Sequence, residues 1–354
     1  MADLGAHEGA RATFLPSLGQ PIRPHRDALA LAGLTRIARR FRPDIVHTHT
    51  AKAGVLGRLA ARASGSRPAV VHTYHGHVLE SYFTPLASRA YQIVEAQLGR
   101  ISDCLIGVSQ ATVDDLVRLG VAPRGQFRVI PLGLDLSPYD EATPSQRSQL
   151  RADLRVGEAE TLIVYVGRLV PVKRLDVLLR AVAEAVSRGA ALRLALVGDG
   201  EMRSDLEGLA AELGLTGRVV FMGYRRDLPR IFAAADVAAL SSISEGTPVS
   251  LIEAAAAGVP AVATAVGGVS EVVSSETGFV VRPDDLSGFA EALTRLAGDA
   301  ALRRRMGSRA RERALAHYPI ERLVRDIDSL YSGLVGRTGS APEPESSTDR
   351  SLET

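Results

Sequence analysis

The stretch Val237–Thr264, VAALSSISEGTPVSLIEAAAAGVPAVAT, limits the possible folds more than any other part of the sequence. Its first four residues, Val237–Leu240, have the length and composition of a strand buried on both faces. Ser241–Gly246 is a loop of small and polar residues. Thr247 followed by Pro248 reads as the N-cap and first residue of a helix. That helix ends in the small residues Ala254–Ala257, with Gly258 and Pro260 behind them, and Ala261–Thr264 is again a strand. Strand, loop, helix and strand make a parallel crossover, so the chain is an α/β protein whose ligands gather beyond the carboxyl ends of its strands.

The same stretch suggests a ligand. A helix start carries about half a positive charge, and the amides of Thr247, Val249 and Ser250 are donors for a phosphate. Glu245 stands just before this start and Glu253 lies inside the helix, eight positions later. Carboxylates repel phosphate and accept hydrogen bonds from hydroxyls. A ligand that satisfies both features carries phosphate and many hydroxyls, as a nucleotide sugar does. The plainer reading makes Glu245 a solvated loop residue and Glu253 an exposed helical one. The small-residue helix end, able to lie close to a sheet, argues against it.

At 354 residues the chain suits two domains. The expected division is residues 1–135, a linker at 136–158 that is polar, charged and proline-bearing, residues 159–336, and a tail at 337–354 too poor in apolar residues to pack. Cys104, the one cysteine, excludes an internal disulfide framework, and its apolar neighbours Leu105 and Ile106 make it a core residue rather than a nucleophile. No apolar run reaches the roughly 18 residues of a membrane span, and the start carries no basic-then-apolar signal pattern, so a cytoplasmic location is expected. Charge is uneven, with 17 basic against 12 acidic residues up to Leu150 and 25 against 28 thereafter. The basic first half implies an anionic partner, a membrane surface or a phosphorylated acceptor, rather than nucleic acid.

Strands and helices alternate along both halves. Ala12–Leu15 reads as a short strand, and His25–Phe41 as a helix whose end collects Arg36, Arg39, Arg40 and Arg42, either a solvated basic end or a membrane-contact face. Strands follow at Asp44–Val46, Ala69–Thr73, Asp103–Val108 and Gln126–Pro131, with a helix over Asp114–Leu119. In the second half, strands are predicted at Thr161–Val166, Leu192–Val197, Arg218–Met222, Val237–Leu240, Ala261–Thr264 and Phe279–Val281. From Asp284 to Val335 the pattern is helical, broken near Asp299 and Pro319.

Several of the strands run into turns that carry glycine, cations or histidine. In GRLVPVKR, residues 167–174, Gly167 allows close approach of the backbone, and Arg168 and Lys173 can reach one diphosphate. Each cation alone reads equally as a solvated surface residue. Combined with Glu245 and Glu253, the set resembles the retaining glycosyltransferases of family 4 over Phe41 to about Tyr331. The resemblance implies two Rossmann-like domains facing a central cleft, the GT-B architecture. It implies that Arg168 and Lys173 grip the donor diphosphate, that Glu245 faces the sugar hydroxyls and Glu253 the ribose, and that Gly246, Thr247 and Pro248 bring backbone to the sugar and phosphate. It also implies that Gly223–Asp227 lies near the base and that His75 points at the donor sugar.

Seven of the eight histidines precede Val78. His47, His49, His72, His75 and His77 have spacings that zinc could use, but no nearby Asp, Glu or Cys completes an open catalytic set. His47 and His72 read as histidines satisfied by backbone at strand ends. His49 and Lys52, in HTHTAKAG at the start of a helix, are candidates for the acceptor side, with Lys52 facing either an acceptor phosphate or solvent.

The sequence departs from the family in having no strand, glycine turn, helix and strand before Ala12. The expectation is therefore a retaining, metal-independent transferase with no cofactor. It would take a UDP-sugar or GDP-sugar as donor and a sugar or lipid-linked acceptor, with peripheral membrane contact through its basic first half. The alternatives are a catalytically impaired nucleotide-sugar-binding protein and a UDP-sugar epimerase.

Overall fold

The computed structural model describes residues 12–19, 21–76, 85–140 and 143–339. In chain order the elements are α1 (Pro24–Phe41), β1 (Ile45–His49), α2 (Ala51–Ala63), β2 (Ala69–Tyr74), α3 (Pro85–Arg100), β3 (Cys104–Gly107), α4 (Gln110–Arg118), β4 (Phe127–Val129) and α5 (Pro144–Asp153). They continue as β5 (Thr161–Val166), α6 (Leu175–Ser187), β6 (Leu192–Val197), α7 (Arg203–Glu212), β7 (Val219–Gly223), α8 (Leu228–Ala234), β8 (Val237–Leu240), α9 (Val249–Ala256), β9 (Ala261–Thr264), α10 (Val269–Val272), β10 (Gly278–Val281), α11 (Leu286–Gly298), α12 (Ala300–His317) and α13 (Ile320–Gly339). The strands form two sheets, ordered β1-β2-β3-β4 and β10-β9-β8-β5-β6-β7.

The second sheet is parallel throughout its pairs. Its strands are near-continuous apolar runs because helices cover them: Leu162, Ile163, Leu194, Leu196 and Val262 are fully buried. Helix α6 packs on α11 and α9 on α12. The strand order sets the position of the site. From β5 the chain moves outward to β6 and β7, then returns to the other side of β5 for β8, β9 and β10. Connections leave β5 and β8 in opposite directions, which opens a crevice above their carboxyl ends, where doubly wound sheets bind ligands.

Three sequence expectations change. Ala12–Leu15 is not a strand; it leads into a turn in which the Leu18 amide donates to the Leu15 carbonyl at 3.0 Å. The stretch expected to be a plain linker contains a 3-10 turn, Ser137–Tyr139, and helix α5, which opens with a capping box between Thr143 and Gln146. The charges of that helix hold the fold. Arg147 and Arg151 each meet Asp236 at 2.7 Å, and Asp236 also accepts from the Leu162 amide at 2.8 Å, so α5 is tied to the starts of β5 and β8. Helix α13 continues to Gly339, past the point where the tail was expected to begin; residues 340–354 lie outside the described residues, as does His77.

The described residues divide into two compact units, one drawn from those within 12–72, 100–104 and 325–339, the other from those within 73–99 and 105–324. In the first, α1 packs on α2. The His47 ring meets the Tyr331 hydroxyl at 2.6 Å and the His72 ring meets the Thr48 hydroxyl at 2.8 Å. Each of these two histidines, expected to be held by backbone, meets a side-chain hydroxyl. Cys104 is buried, as its apolar neighbours require. The second unit contains the whole six-stranded sheet and the turns above it.

Candidate active site

Two turns meet above the switch point. β5 ends in Gly167 and Arg168 and leads to a 3-10 turn, Pro171–Lys173; β8 ends in Ser241–Glu245. Backbone locks them together, since the Ile243 amide donates to the Val172 carbonyl at 3.0 Å. The Ser241 hydroxyl lies 2.9 Å from the carbonyls of both Lys173 and Arg174. Held this way, the Lys173 ammonium reaches Glu245 Oε1 at 2.5 Å, and the Ser242 hydroxyl donates to the same oxygen at 2.6 Å. The side chains of Lys173 and Glu245 are 18% and 11% exposed, so neither is a solvated surface residue. Arg168 is exposed beside them. Its carbonyl accepts from the buried Tyr165 hydroxyl at 2.9 Å, and burial, with the nearby Glu245 charge, pushes that hydroxyl's pKa well up.

The entry to helix α9 differs from the sequence reading. Thr247 is not the N-cap. Its hydroxyl donates to the Val108 carbonyl at 3.0 Å, Pro248 takes the N-cap position without a side-chain bond, and the helix starts at Val249. The threonine side chain is thus directed at a loop carbonyl rather than at the helix amides. The amides of Val249 and Ser250 still head the helix, and Val249 is exposed there.

Glu253 is not an exposed helical residue either. It is partly buried, with the Tyr139 hydroxyl close enough to act on its charge. Burial raises its carboxyl above the usual carboxylate range, and the nearby Tyr139 hydroxyl opposes that rise. The native state holds the Glu253 proton to higher pH than the unfolded chain, so this group's stabilisation is present below the ordinary carboxylate pKa and is lost as pH rises through the folded value. Glu253→Gln is therefore expected to be at least as stable as the parent at pH 7–8, with the difference shrinking toward pH 4. Thermal midpoints across that range check this, and a variant equally destabilised at every pH would contradict it.

Glycines set the closest approaches. A Cβ at Gly246 would run into the His75 carbonyl oxygen, so the turn after β2 lies directly on the turn before α9 and places the exposed His75 at the same site. Gly267 has φ +48°, and a Cβ there would meet the Glu245 carbonyl oxygen; the next amide, Gly268, donates to the Gly246 carbonyl at 2.7 Å. The sequence reading missed this pair. The signal was available as two adjacent glycines directly beyond strand β9, where a turn must pass another backbone closely.

Beside the Gly167–Arg168 turn is a cavity of about 460 Å³, lined by Arg168, Gly198, Asp199, Tyr224 and Arg225 among others. Gly223, at φ +67°, turns the chain into it. Asp227 is engaged by Arg225 through two bonds, 2.8 and 2.6 Å, and Arg225 holds its carboxyl below the usual range against the effect of burial. The carboxylate thus fixes the Arg225 fork at the cavity wall. Tyr224 and Arg225 lie within the Gly223–Asp227 turn named from the sequence, whereas Asp199 was not singled out, because which residues face a cavity depends on how three strand ends converge.

In the first unit, the Lys52 ammonium lies 2.5 Å from Asp27 and donates to the carbonyls of Gly19, at 2.8 Å, and Pro21, at 2.6 Å. Lys52 is thus not simply facing solvent; it ties the start of α1 to α2. His49 stacks on His47 with ring centroids 4.4 Å apart, and burial lowers its imidazole pKa. Among the described residues no group of three His, Cys, Asp or Glu is placed to hold a metal, and no helix is long and apolar enough to cross a membrane.

Two parallel α/β sheets, with cations, carboxylates and glycine turns gathered at the strand ends of one of them, define a glycosyltransferase of the GT-B type. Residues 146–313 match the model of glycosyl transferases group 1, and residues 4–138 match that of glycosyltransferase family 4. The chain is 30% identical over 334 residues to the UDP-Gal:alpha-D-GlcNAc-diphosphoundecaprenol alpha-1,3-galactosyltransferase of Escherichia coli, covering 93% of this chain and 85% of that protein. It is 37% identical to the D-inositol 3-phosphate glycosyltransferase of Nocardia farcinica, covering 75% of this chain and 61% of that protein. Among solved structures, Anabaena HepE in complex with UDP and glucose superposes with a TM-score of 0.77 at 27% identity, covering 86% of this chain and 81% of that one. The chain belongs to glycosyltransferase family 4.

Proposed function

We propose that this protein transfers a sugar from a uridine diphosphate sugar to a hydroxyl acceptor, with retention of the anomeric configuration and without a metal. The observation that carries the reading is the Lys173–Glu245 pair across the switch point, with the head of α9 and the exposed Arg168 beside it. Breaking the bond between the sugar's anomeric carbon and the diphosphate leaves negative charge on phosphate oxygens. Arg168, Lys173 and the amides heading α9 are positive groups that would stabilise that charge electrostatically. The carboxylate of Glu245 suits the sugar hydroxyls, and that of Glu253 the ribose. The acceptor hydroxyl attacks from the face the diphosphate leaves, and its proton passes to the departing phosphate oxygen. The cavity beside Arg168 is of a size to take the base, with Tyr224 and the fixed Arg225 on its wall. Uridine is favoured because the Escherichia coli relative is named for UDP-Gal and HepE was solved with UDP. The test is calorimetric titration with UDP, GDP and ADP, with and without EDTA, followed by NMR assignment of the product anomer. UDP binding that survives EDTA, and a product keeping the donor's configuration, support the proposal. A metal requirement or an inverted product overturns it.

The acceptor is proposed to be lipid-linked, as in the name of the Escherichia coli relative. Helix α1 supports a peripheral site on a membrane. Leu29, Ile37 and Phe41 are exposed on it together with Arg36, Arg39 and Arg40, and its one acid, Asp27, is held by Lys52. Interleaved apolar side chains and arginines suit the interface of an anionic bilayer. Reversing Arg36 and Arg40 to Glu is expected to weaken co-sedimentation with phosphatidylglycerol vesicles about tenfold or more, on the basis of about 1 kcal/mol per basic residue near such a surface. Unchanged sedimentation would place the contact elsewhere.

A further inference from the structure

Two serines, 2% and 0% exposed, directly follow strand β8, and each hydroxyl acts on a different part of the Lys173–Glu245 pair. Ser241 holds the backbone of the turn that carries Lys173. Ser242 holds the carboxylate itself. Its hydroxyl, 2.6 Å from Glu245 Oε1, is the donor of that bond, because an ionised carboxylate only accepts. Lys173 uses the same oxygen. Two donors on Oε1 fix the plane of the carboxyl group, whose terminal torsion is otherwise broad and poorly set by rotamer preference. The backbone of Ser242 is secured separately, because its carbonyl accepts from the Thr264 hydroxyl at the end of β9.

We propose that Ser242 is a positioning residue that keeps Glu245 Oε1 occupied and so presents Oε2 to the donor sugar. The inference rests on the reading that Glu245 serves the sugar and Lys173 the diphosphate. A diphosphate that draws the Lys173 ammonium toward itself weakens one of the two bonds on Oε1. The Ser242 bond then holds the carboxylate during the step in which its orientation matters. Ser242 has no part in holding the diphosphate, so its loss is felt through the sugar alone.

The experiment is titration of the full chain and its Ser242→Ala variant with UDP, UDP-glucose and UDP-galactose, with turnover measured on whichever sugar nucleotide the parent uses. The variant is expected to bind UDP within about twofold of the parent. Its affinity for the sugar nucleotide and its kcat should each fall about tenfold, the size of one hydrogen bond to a charged group. Ser242→Cys fills the same space with a much weaker donor and should resemble Ser242→Ala, which separates the hydrogen bond from packing. Equal binding of UDP and of sugar nucleotide in parent and variant, with unchanged kcat, overturns the inference. So does an equal loss of both ligands with a lowered thermal midpoint, which marks a purely structural role. Failure of the parent to bind UDP at all overturns the donor-site reading beneath it, a result distinct from either.

Discussion

Lys173→Ala is expected to lower kcat by two to three orders of magnitude, the cost of removing one preorganised donor aimed at charge that develops in a transition state. The pair geometry adds a second effect. Without the ammonium, Glu245 keeps Ser242 as a partner but loses its counter-charge, and the carboxylate then repels the diphosphate it stands beside. Donor affinity should therefore fall together with kcat. Glu245→Ala should lose turnover to a similar extent, but it leaves a cation facing the phosphates, so UDP affinity should hold or rise while affinity for the sugar nucleotide drops. Because the two side chains touch, their effects will not add: the double variant should be scarcely slower than the worse of the singles. Thermal midpoints separate chemistry from folding. Lys173→Ala leaves a largely buried carboxylate without its counter-charge, so adding Glu245→Gln should restore stability without restoring activity. A near-parental rate in either single variant would remove the active-site assignment.

The parts of the site legible in the sequence were those fixed locally. The strands β5, β6, β8 and β9 and the breaks near Asp299 and Pro319 follow from apolar runs and breaker residues that act within a few positions. Gly167, Arg168, Lys173, Glu245 and Gly246 could be picked out because a turn directly beyond a parallel strand has one place to go in an α/β sheet. What could not be read was pairing across long sequence distance. That Lys173 meets Glu245, 72 positions on, depends on β5 and β8 being neighbours, which the chain order conceals. Thr247 has every local mark of an N-cap, but the Val108 carbonyl, 139 positions away, takes its hydroxyl. That Glu253 lies near Tyr139 could not be read either, because Tyr139 comes from a stretch read as linker. Lys52 was ambiguous for the same reason, since its partner Asp27 lies on the preceding helix.

Asp236→Ala should have the largest effect on stability of any single change considered, about 3–5 kcal/mol, the usual cost of breaking a buried ion pair from one side. Its side chain is 12% exposed, and its two oxygens bind Arg147, Arg151 and the Leu162 amide. Removing it leaves two guanidinium groups and an amide without their acceptor, and frees α5 from the sheet. Burial opposes ionisation of Asp236, but the Leu162 amide and the two arginines outweigh it and hold the carboxyl below its ordinary range. With the folded pKa depressed, the unfolded chain binds the proton more readily. The stabilisation is therefore complete above the ordinary carboxylate pKa and is lost as pH falls through the folded value. Asp236→Asn should accordingly lie well below the parent in urea midpoint at pH 7, with the gap closing below about pH 4. A gap that stays constant down to pH 3 would mean that shape rather than charge holds α5. The site depends on this anchor directly. Asp236 immediately precedes β8 and is bonded to the first turn of register with β5, the two strands that carry Glu245 and Lys173. Loss of the anchor should thus disturb the spacing of the Lys173–Glu245 pair before the sheet itself comes apart. Its signature would be a fall in kcat at urea concentrations where the far-ultraviolet circular dichroism of the Asn variant is still native.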